Sequence, residues 1–276
     1  MADFFGGIFN LSVLVFVVAT MLSMGLALNL GQIVKPLKKP LLVIDVLITN
    51  FGIIPLATLG IASLLPIDEG TKTGLVILSL SAGAPFIPKL AEIAKADTAL
   101  ATAVMLLLMV ATVVLLPIGL PLMLDGAIKV DSFAIAKSLV IMMIIPLIIG
   151  LVTKAKAEDF AKKWQPKMVK LSNIALITIV VMLVILHAKA MVDFIGYGLL
   201  AVIMFMLLSL VIGFVAGGSI YEKRVVSSLS AAQRNISAAL VVASQNFDNP
   251  NVSVTIIAVS VIGLFILLFS AKKFVR

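Results

Sequence analysis

The sequence of 276 residues contains no cysteine and a single histidine, His187. The lack of cysteine excludes disulfide bonds, thiolate metal sites and cysteine nucleophiles. One histidine cannot build a histidine-based metal centre without carboxylate partners. Motifs of zinc hydrolases and nucleotide-binding loops are absent as well. These absences argue against an enzyme, a metal site and a bound cofactor.

Charged residues are also scarce, at 12% of the chain, whereas soluble domains carry about 25%. Hydrophobic residues make up 62% of the sequence. The net charge of +8 would favour a nucleic-acid partner only if the basic residues shared one water-facing surface. They fall instead in the gaps between apolar runs, which is typical of a membrane protein and predicts no nucleic-acid partner.

Apolar windows long enough to cross a bilayer, about 20 residues each, recur along the whole chain. The alternation typical of β-barrel strands is absent. The sequence therefore predicts an all-α polytopic membrane protein with a single transmembrane domain over residues 1–276, embedded in lipid as a monomer or homodimer. The nine predicted spans cover approximately residues 7–30, 41–64, 74–96, 98–123, 132–152, 169–186, 194–216, 225–244 and 252–270.

Lysine and arginine are distributed unevenly between the two ends of these spans. Fifteen follow the odd-numbered spans, whereas the opposite side holds four lysines and seven acidic residues. Because basic residues concentrate in cytoplasmic loops, this asymmetry predicts an outside N-terminus and a cytoplasmic C-terminus in the plasma membrane. No basic segment precedes the first span, which is therefore predicted to be a retained helix. Residues 153–170 are predicted to form an amphipathic cytoplasmic connector between helices.

Two of the spans are interrupted. The third places Gly83, Pro85 and Pro88 near the middle of the bilayer, and two prolines at this spacing break a helix. The eighth is polar around Arg234, and an arginine at that depth costs at least about 2.5–3.5 kcal/mol without water or a partner. Backbone groups freed at such breaks must line a protein or aqueous cavity.

The interrupted spans occupy matching positions in two halves of the chain. A shift of 148 residues moves the second, third and fourth spans onto or near the seventh, eighth and ninth. The predicted half-repeats run from about residue 7 to 123 and from about residue 132 to 271, and the second copy is inverted in the membrane. Paired broken helices in inverted halves indicate the binding site of a secondary transporter, and half-helix amino ends favour an anion.

Five segments carry a resemblance to a known family: MLSMGLALNL in the first span, NFGIIPL in the second, SAGAPFIPKLAEIAKADTAL, PIGLP and AAQRNISAAL. In their order and spacing the chain resembles the bile acid:sodium symporter family. The resemblance implies the family's nine-helix form. It also implies a core of the second, third, fourth, seventh, eighth and ninth spans, within which the broken pair crosses. The first, fifth and sixth spans would form a panel, with substrate between core and panel.

The chain departs from the sodium-coupled members at the ion sites that the resemblance implies. Ile87 and Pro88 stand where a small polar residue and an asparagine are expected, and Ser230 and Arg234 replace a glutamate and a glutamine. Ala101 and Met105 likewise lack the hydroxyl ligands of the fourth span. These departures argue against two-sodium coupling.

The predicted function is alternating-access transport of a small organic anion, such as a carboxylate or a bile-acid-like molecule, without two-sodium coupling. The candidate substrate-binding residues are Pro85, Ile87, Pro88, Lys89, Arg234, Asn235 and Ile236. The candidates for ion or charge coupling are Asn50, Glu92, Ser230, Gln233 and Arg234.

Several alternatives stay open at this point. Sodium coupling remains an alternative, with shifted ion sites at Asn50, Ser227, Ser230 and Gln233, and an anion channel or sensor is an alternative of another class. Lys89 and Glu92 are three residues apart, so they form either a structural ion pair or a gate that opens when substrate competes for the lysine. A steroid, a keto acid, a pantoate-like acid and an inorganic anion all remain candidate substrates.

Overall fold

The computed structural model describes residues 2–28, 40–124 and 131–275. Within these ranges the chain is helical and contains no strand. The helices are α1 (Ala2–Ala27), α2 (Pro40–Leu64), α3 (Glu69–Leu80), α4 (Ile87–Ile93), α5 (Thr98–Met123), α6 (Ser132–Lys156), α7 (Glu158–Asp193), α8 (Tyr197–Ala216), α9 (Tyr221–Ala232), α10 (Ile236–Asn246) and α11 (Pro250–Lys273). The end of the first predicted span and the basic residues Lys35, Lys38, Lys39 and Lys129 lie outside the described residues.

Seven of the described helices are long and apolar enough to cross a membrane. The pairs α3–α4 and α9–α10 supply the third and eighth predicted spans, each interrupted by non-helical residues, 81–86 in one and 233–235 in the other. The chain is thus a polytopic all-α membrane protein, and both predicted breaks are confirmed in the described part of the structure.

The prediction of a connector over residues 153–170 is wrong. Helix α6 continues to Lys156 and α7 begins at Glu158, so almost the whole segment is helical. Alanine, lysine and glutamate favour helix. Glu158 also forms ion pairs with Lys154 and Lys162, at 3.1 and 3.2 Å. Helix α7 is kinked at His187, and residues 158–186 before the kink would alone extend about 44 Å, longer than the ~30 Å hydrocarbon core.

Two of the spanning helices contain a wide turn before a proline. In α2 the π-helical turn Thr49–Ile53 precedes Pro55, and in α6 the turn Val140–Ile144 precedes Pro146. Proline lacks an amide donor and crowds the preceding turn, so the extra residue in each turn relieves the clash. In α2 the side chain of Asn50 donates to the Val46 carbonyl at 3.0 Å and thereby satisfies a backbone acceptor near the wide turn.

Helix α1 packs against α6 and α7, and these three helices form the panel that the resemblance implies. Helices α1 and α6 cross where Gly25 meets Gly150, and a Cβ on Gly150 would lie 2.8 Å from the Cα of Gly25. The core is built by α11 against α3 and by α8 against α9, with α4, α5 and α10 beside them.

At one end of the core, Asp68 joins α3 to α11. Its carboxylate caps α3 by accepting from the backbone N–H groups of Gly70 and Thr71 at 2.9 and 3.1 Å, and it accepts from the Asn251 side chain at 2.9 Å. Partial burial favours the neutral acid, but the hydrogen bonds from Thr71, Asn251 and the backbone outweigh it and lower the pKa of Asp68 below its ordinary 3.8.

The lowered pKa predicts acid sensitivity at this junction. A carboxylate whose pKa is depressed in the folded state stabilises the protein above its unfolded-state pKa, and this contribution is lost as the pH falls through the folded-state pKa. We expect Asp68→Asn to lower the melting temperature at pH 7 and to flatten its fall below about pH 4. Melting curves in detergent between pH 3 and pH 7 measure this. Parallel curves for variant and wild type would contradict it.

Candidate functional site

The two breaks cross in the middle of the core. The backbone N–H of Asn235 donates to the Ser81 carbonyl at 2.8 Å, and its side-chain amide donates to the Gly83 carbonyl at 3.2 Å. The side-chain oxygen of Asn235 accepts from the backbone N–H of Ala238 at 3.1 Å and caps α10. One buried asparagine therefore links both interrupted helices and begins the second half of one of them.

Thr112 of α5 satisfies another part of the first break. Its hydroxyl accepts from the backbone N–H of Ala82 and donates to the carbonyl of the same residue, both at 2.9 Å. The threonine is fully buried, so no water replaces these bonds. The sequence reasoning missed Thr112, although a hydroxyl in the otherwise apolar stretch MVATVVLL was a usable signal.

Arg234 is 1% exposed, and its side chain makes a single hydrogen bond, from Nη1 to the carbonyl oxygen of Ser79 at 3.2 Å. Its Cζ lies 5.7 Å from the ring centroid of Phe205. The Nε and Nη2 atoms are buried without a partner, and no described carboxylate lies within the 4.0 Å of an ion pair. The guanidinium is thus an uncompensated charge inside the protein.

The carboxyl ends of two helices lie near Arg234 and partly stabilise its charge. Ser79 belongs to the last turn of α3, which ends at Leu80, and α9 ends at Ala232, two residues before the arginine. The carboxyl end of a helix carries partial negative charge, which stabilises a nearby cation by about 0.3–1 kcal/mol at each end. This gain is smaller than the several kcal/mol that burial of a charge costs.

A cavity of about 690 Å³ lies between the crossing and the panel. The panel contributes polar side chains of α1 and α7, and the core contributes residues of both breaks together with apolar side chains of α5, α8 and α11. The volume falls within the range of small-molecule sites. The polar lining on the panel side comprises Thr20, Ser23, Gln165, Ser172 and Asn173. Of the lining residues within the described ranges, Arg234 is the one that carries a charge.

The structure brings together five of the seven candidate substrate-binding residues. Those that line the cavity are Pro85, Pro88, Arg234, Asn235 and Ile236. Ile87 is fully buried in the core and does not line the cavity. Lys89 is 55% exposed and pairs with Glu92 at 2.9 Å, outside the cavity. This placement differs from the expected position of Lys89 beside the anion, because each residue along α4 is rotated by about 100° from the one before.

A second cavity, of about 250 Å³, is lined by α2, α9 and the turn between α8 and α9. Asn50, Ser227 and Ser230 line it, together with Asp45 and Lys223. The Oδ1 of Asn50 and the Oγ of Ser230 are buried without a hydrogen-bond partner. Gln233 lines the larger cavity instead. The candidates for ion coupling are therefore divided between two cavities and the exposed Glu92. In the part of the chain that the structure describes, no three carboxylate or histidine side chains cluster as metal ligands.

The crossing depends on Gly83, and this gives a test of the site's architecture. Gly83 has φ of 79°, and a Cβ there would lie 2.6 Å from the Cα of Met109. We expect Gly83→Ala to destabilise the protein by about 2–4 kcal/mol, since both backbone strain and overpacking oppose it. Gly60→Ala in α2 is the control, because no atom lies within 4 Å of its added Cβ. Melting temperatures in detergent compare the two, and equal values would contradict the packing described.

The sequence has relatives among known proteins. Residues 14–194 match the model of the Sodium Bile acid symporter family. The chain is also similar to the "Probable sodium/metabolite cotransporter BASS3, chloroplastic" of Arabidopsis thaliana, with 24% identity over 148 residues. The aligned segment covers 54% of this chain and 34% of the plant protein, so the chain matches about a third of that relative's length.

Proposed function

Because the chain belongs to the sodium bile acid symporter family, we propose that it moves a small organic monoanion across the membrane by alternating access without two-sodium coupling. Membership of this transporter family supports a multi-pass membrane transporter of a small solute and implies that the protein is not an enzyme. The observation behind this proposal is the uncompensated charge of Arg234, which is the one charged residue among the described residues of the cavity and lies at the crossing of the broken helices.

The free edge of the guanidinium favours a carboxylate. Nη1 is engaged by Ser79, which leaves Nε and Nη2, the adjacent donors that bind a carboxylate in the bidentate geometry. Both nitrogens are buried in this conformation, so Arg234 acts on the cavity through its field here. Direct contact is proposed for a closed state in which the anion is enclosed.

The rest of the lining supports a substrate with one charge and an apolar body. A second carboxylate would meet no second cation among the described residues that line the cavity. Apolar side chains of the panel and the core, among them Phe16, Met24 and Leu264, suit a hydrocarbon framework. Hydroxyl and amide groups of the panel, such as Ser172 and Asn173, suit polar substituents on that framework.

The position of Arg234 also supports transport without two-sodium coupling. In transporters with broken helices, the carboxyl ends of half-helices and the unwound carbonyls hold the coupling cation. Arg234 lies at two such ends and donates to one such carbonyl, that of Ser79. A sodium ion within about 5 Å of the guanidinium would be repelled by about 3 kcal/mol at an effective dielectric constant near 20. We infer that the arginine is a tethered substitute for the cation.

The larger cavity lies in the half of the bundle that contains the carboxyl end of α1 and the amino ends of α5 and α7. The lysine distribution predicts that this half faces the cytoplasm. We therefore propose that this conformation is the inward-facing state, with the panel and core in contact on the opposite side through α1 and α6 against α10.

A second candidate function is sodium-coupled symport through the smaller cavity. The unpartnered oxygens of Asn50 and Ser230 favour it, because a buried cation requires several oxygen ligands. Asp45, Thr49 and Ser227 line the same cavity and would complete the set.

Anion binding at the crossing is tested first at Asn235. We expect Asn235→Ala to weaken binding by at least about tenfold, because the change removes the bond to Gly83 and the cap of α10. The probe is whichever monocarboxylate, cholate included, raises the melting temperature most in a thermal-shift screen, followed by calorimetry. Asn246→Ala is the control, since its side chain bonds the Val242 carbonyl at 2.9 Å and does not line the cavity. Unchanged affinity in Asn235→Ala would refute a site at the crossing.

Ion coupling is tested by uptake of the same monocarboxylate into proteoliposomes. We expect equal initial rates in sodium and choline media, because the fixed charge of Arg234 needs no ion gradient. A steep, saturable sodium requirement would reject this. If that requirement disappears in Asn50→Leu while Glu92→Gln retains it, sodium is coupled through the smaller cavity.

A further inference from the structure

Helix α7 presents two opposite faces near its amino end. Gln165, Val169, Ser172 and Leu176 line the larger cavity. Their spacing of three or four residues places them on one side of the helix. The opposite side is turned away from the protein and does not line the larger cavity.

This outer stripe follows the helix from an aromatic and basic segment into an apolar one. At about 100° per residue, its members fall within a sector roughly centred on the side opposite the cavity. Phe160 and Trp164 are 52% and 37% exposed, and Ile174 and Ile185 are each 52% exposed. The stripe comprises Phe160, Lys163, Trp164, Lys167, Lys170, Leu171, Ile174, Val181 and Ile185.

The first part of the stripe concentrates positive charge. Lys163, Lys167 and Lys170 are exposed, and no described carboxylate lies within the 4.0 Å of an ion pair with any of them. Lys162, on another side of the helix, is in contrast paired with Glu158 at 3.2 Å. The three stripe lysines thus present free charge in one direction.

Contacts with aromatic rings stabilise the side chains of this charged segment. Trp164 stacks on Phe160 with ring centroids 5.6 Å apart, and the Nζ of Lys167 lies 4.4 Å from the centroid of the Trp164 ring. Tryptophan and lysine together are typical of the depth at which lipid headgroups meet hydrocarbon. The segment therefore marks one membrane interface on α7.

The second part of the stripe fits an acyl chain. From Leu171 to Ile185 the helix rises about 21 Å, more than the ~15 Å depth of one hydrocarbon leaflet. Leu171, Ile174 and Val181 are 41%, 52% and 45% exposed, so the apolar surface directly continues the lysine segment.

We propose that this stripe of α7 is a binding site for an anionic phospholipid. The headgroup phosphate binds Lys163, Lys167 and Lys170 beside Trp164, and one acyl chain lies along Leu171, Ile174 and Val181. Charge complementarity selects an anionic lipid, and the continuous apolar surface selects a lipid over a soluble acidic partner. The site lies outside the cavity and is independent of the proposed substrate.

Trp164 is the single tryptophan of the chain and reports on this site without any substitution. The experiment measures quenching of its fluorescence in vesicles that contain dibrominated phosphatidylglycerol or dibrominated phosphatidylcholine at equal mole fraction. We expect the brominated anionic lipid to quench at least about threefold more effectively, and this preference to decline in high salt. Equal quenching by the two lipids in the wild-type protein would overturn the proposal.

A triple substitution tests the lysines directly. Lys163→Gln/Lys167→Gln/Lys170→Gln is expected to abolish the preference for phosphatidylglycerol. The control, Lys72→Gln/Lys89→Gln/Lys162→Gln, removes the same charge from three ion-paired lysines and should keep the preference. Loss of preference in both variants would show that net charge alone attracts the lipid, which also refutes a site. If the stripe variant fails to fold, the wild type gives a second test. Glycerol phosphate in solution should leave the quenching by brominated phosphatidylglycerol unchanged, because it lacks an acyl chain to bind the apolar stripe. A decrease in quenching would contradict the lipid site.

Discussion

The structure depends on satisfying backbone polar groups where two membrane helices are broken. Inside a bilayer an unpaired N–H or carbonyl costs several kcal/mol, so a break is stable only when other parts of the protein supply partners. Asn235 supplies them to Ser81 and Gly83, and Thr112 supplies them to Ala82. Because these partners come from α5 and from the other broken span, the crossing fixes the core as one unit.

The same crossing leaves one charge uncompensated. Arg234 satisfies the carbonyl of Ser79 but keeps two donors free, and no described acidic side chain neutralises it. A protein that buries an arginine in this way loses stability that it recovers when an anion binds nearby. Binding and stability are thereby linked, which is typical of a site that is completed by its ligand. The proposed absence of two-sodium coupling follows from the same charge.

The sequence predicted those features that depend on local patterns. Gly83, Pro85 and Pro88 dictate a break by their own backbone chemistry, and apolar runs of bilayer length indicate spans wherever they occur. The side chains that meet at the break could not be predicted in the same way, because the contact between Thr112 and Ala82 depends on how α5 packs.

Two placements show where local reasoning fails. Lys89 follows the proline that lines the cavity, yet the rotation of α4 directs it to the surface, where it forms the ion pair with Glu92 that was one of the two alternatives in the sequence. The charged residues 153–170 suggested a connector, but charge alone does not distinguish a loop from a helix that extends beyond the bilayer. The direction of Lys89 depends on the rotation of α4, and the structure of residues 153–170 depends on the length of the helices relative to the membrane. The spacing of polar residues specifies neither.

We propose that a fixed charge at residue 234 holds the anion in place of a bound cation. Calorimetry of monocarboxylate binding to wild type, Arg234→Lys and Arg234→Gln, each in sodium and in choline, measures it most directly. We expect Arg234→Lys to retain binding within about tenfold and Arg234→Gln to lose it in both media, with folding checked by melting curves. If Arg234→Gln binds the monocarboxylate at wild-type affinity, or regains binding when sodium is added, the charge of Arg234 does not hold the anion.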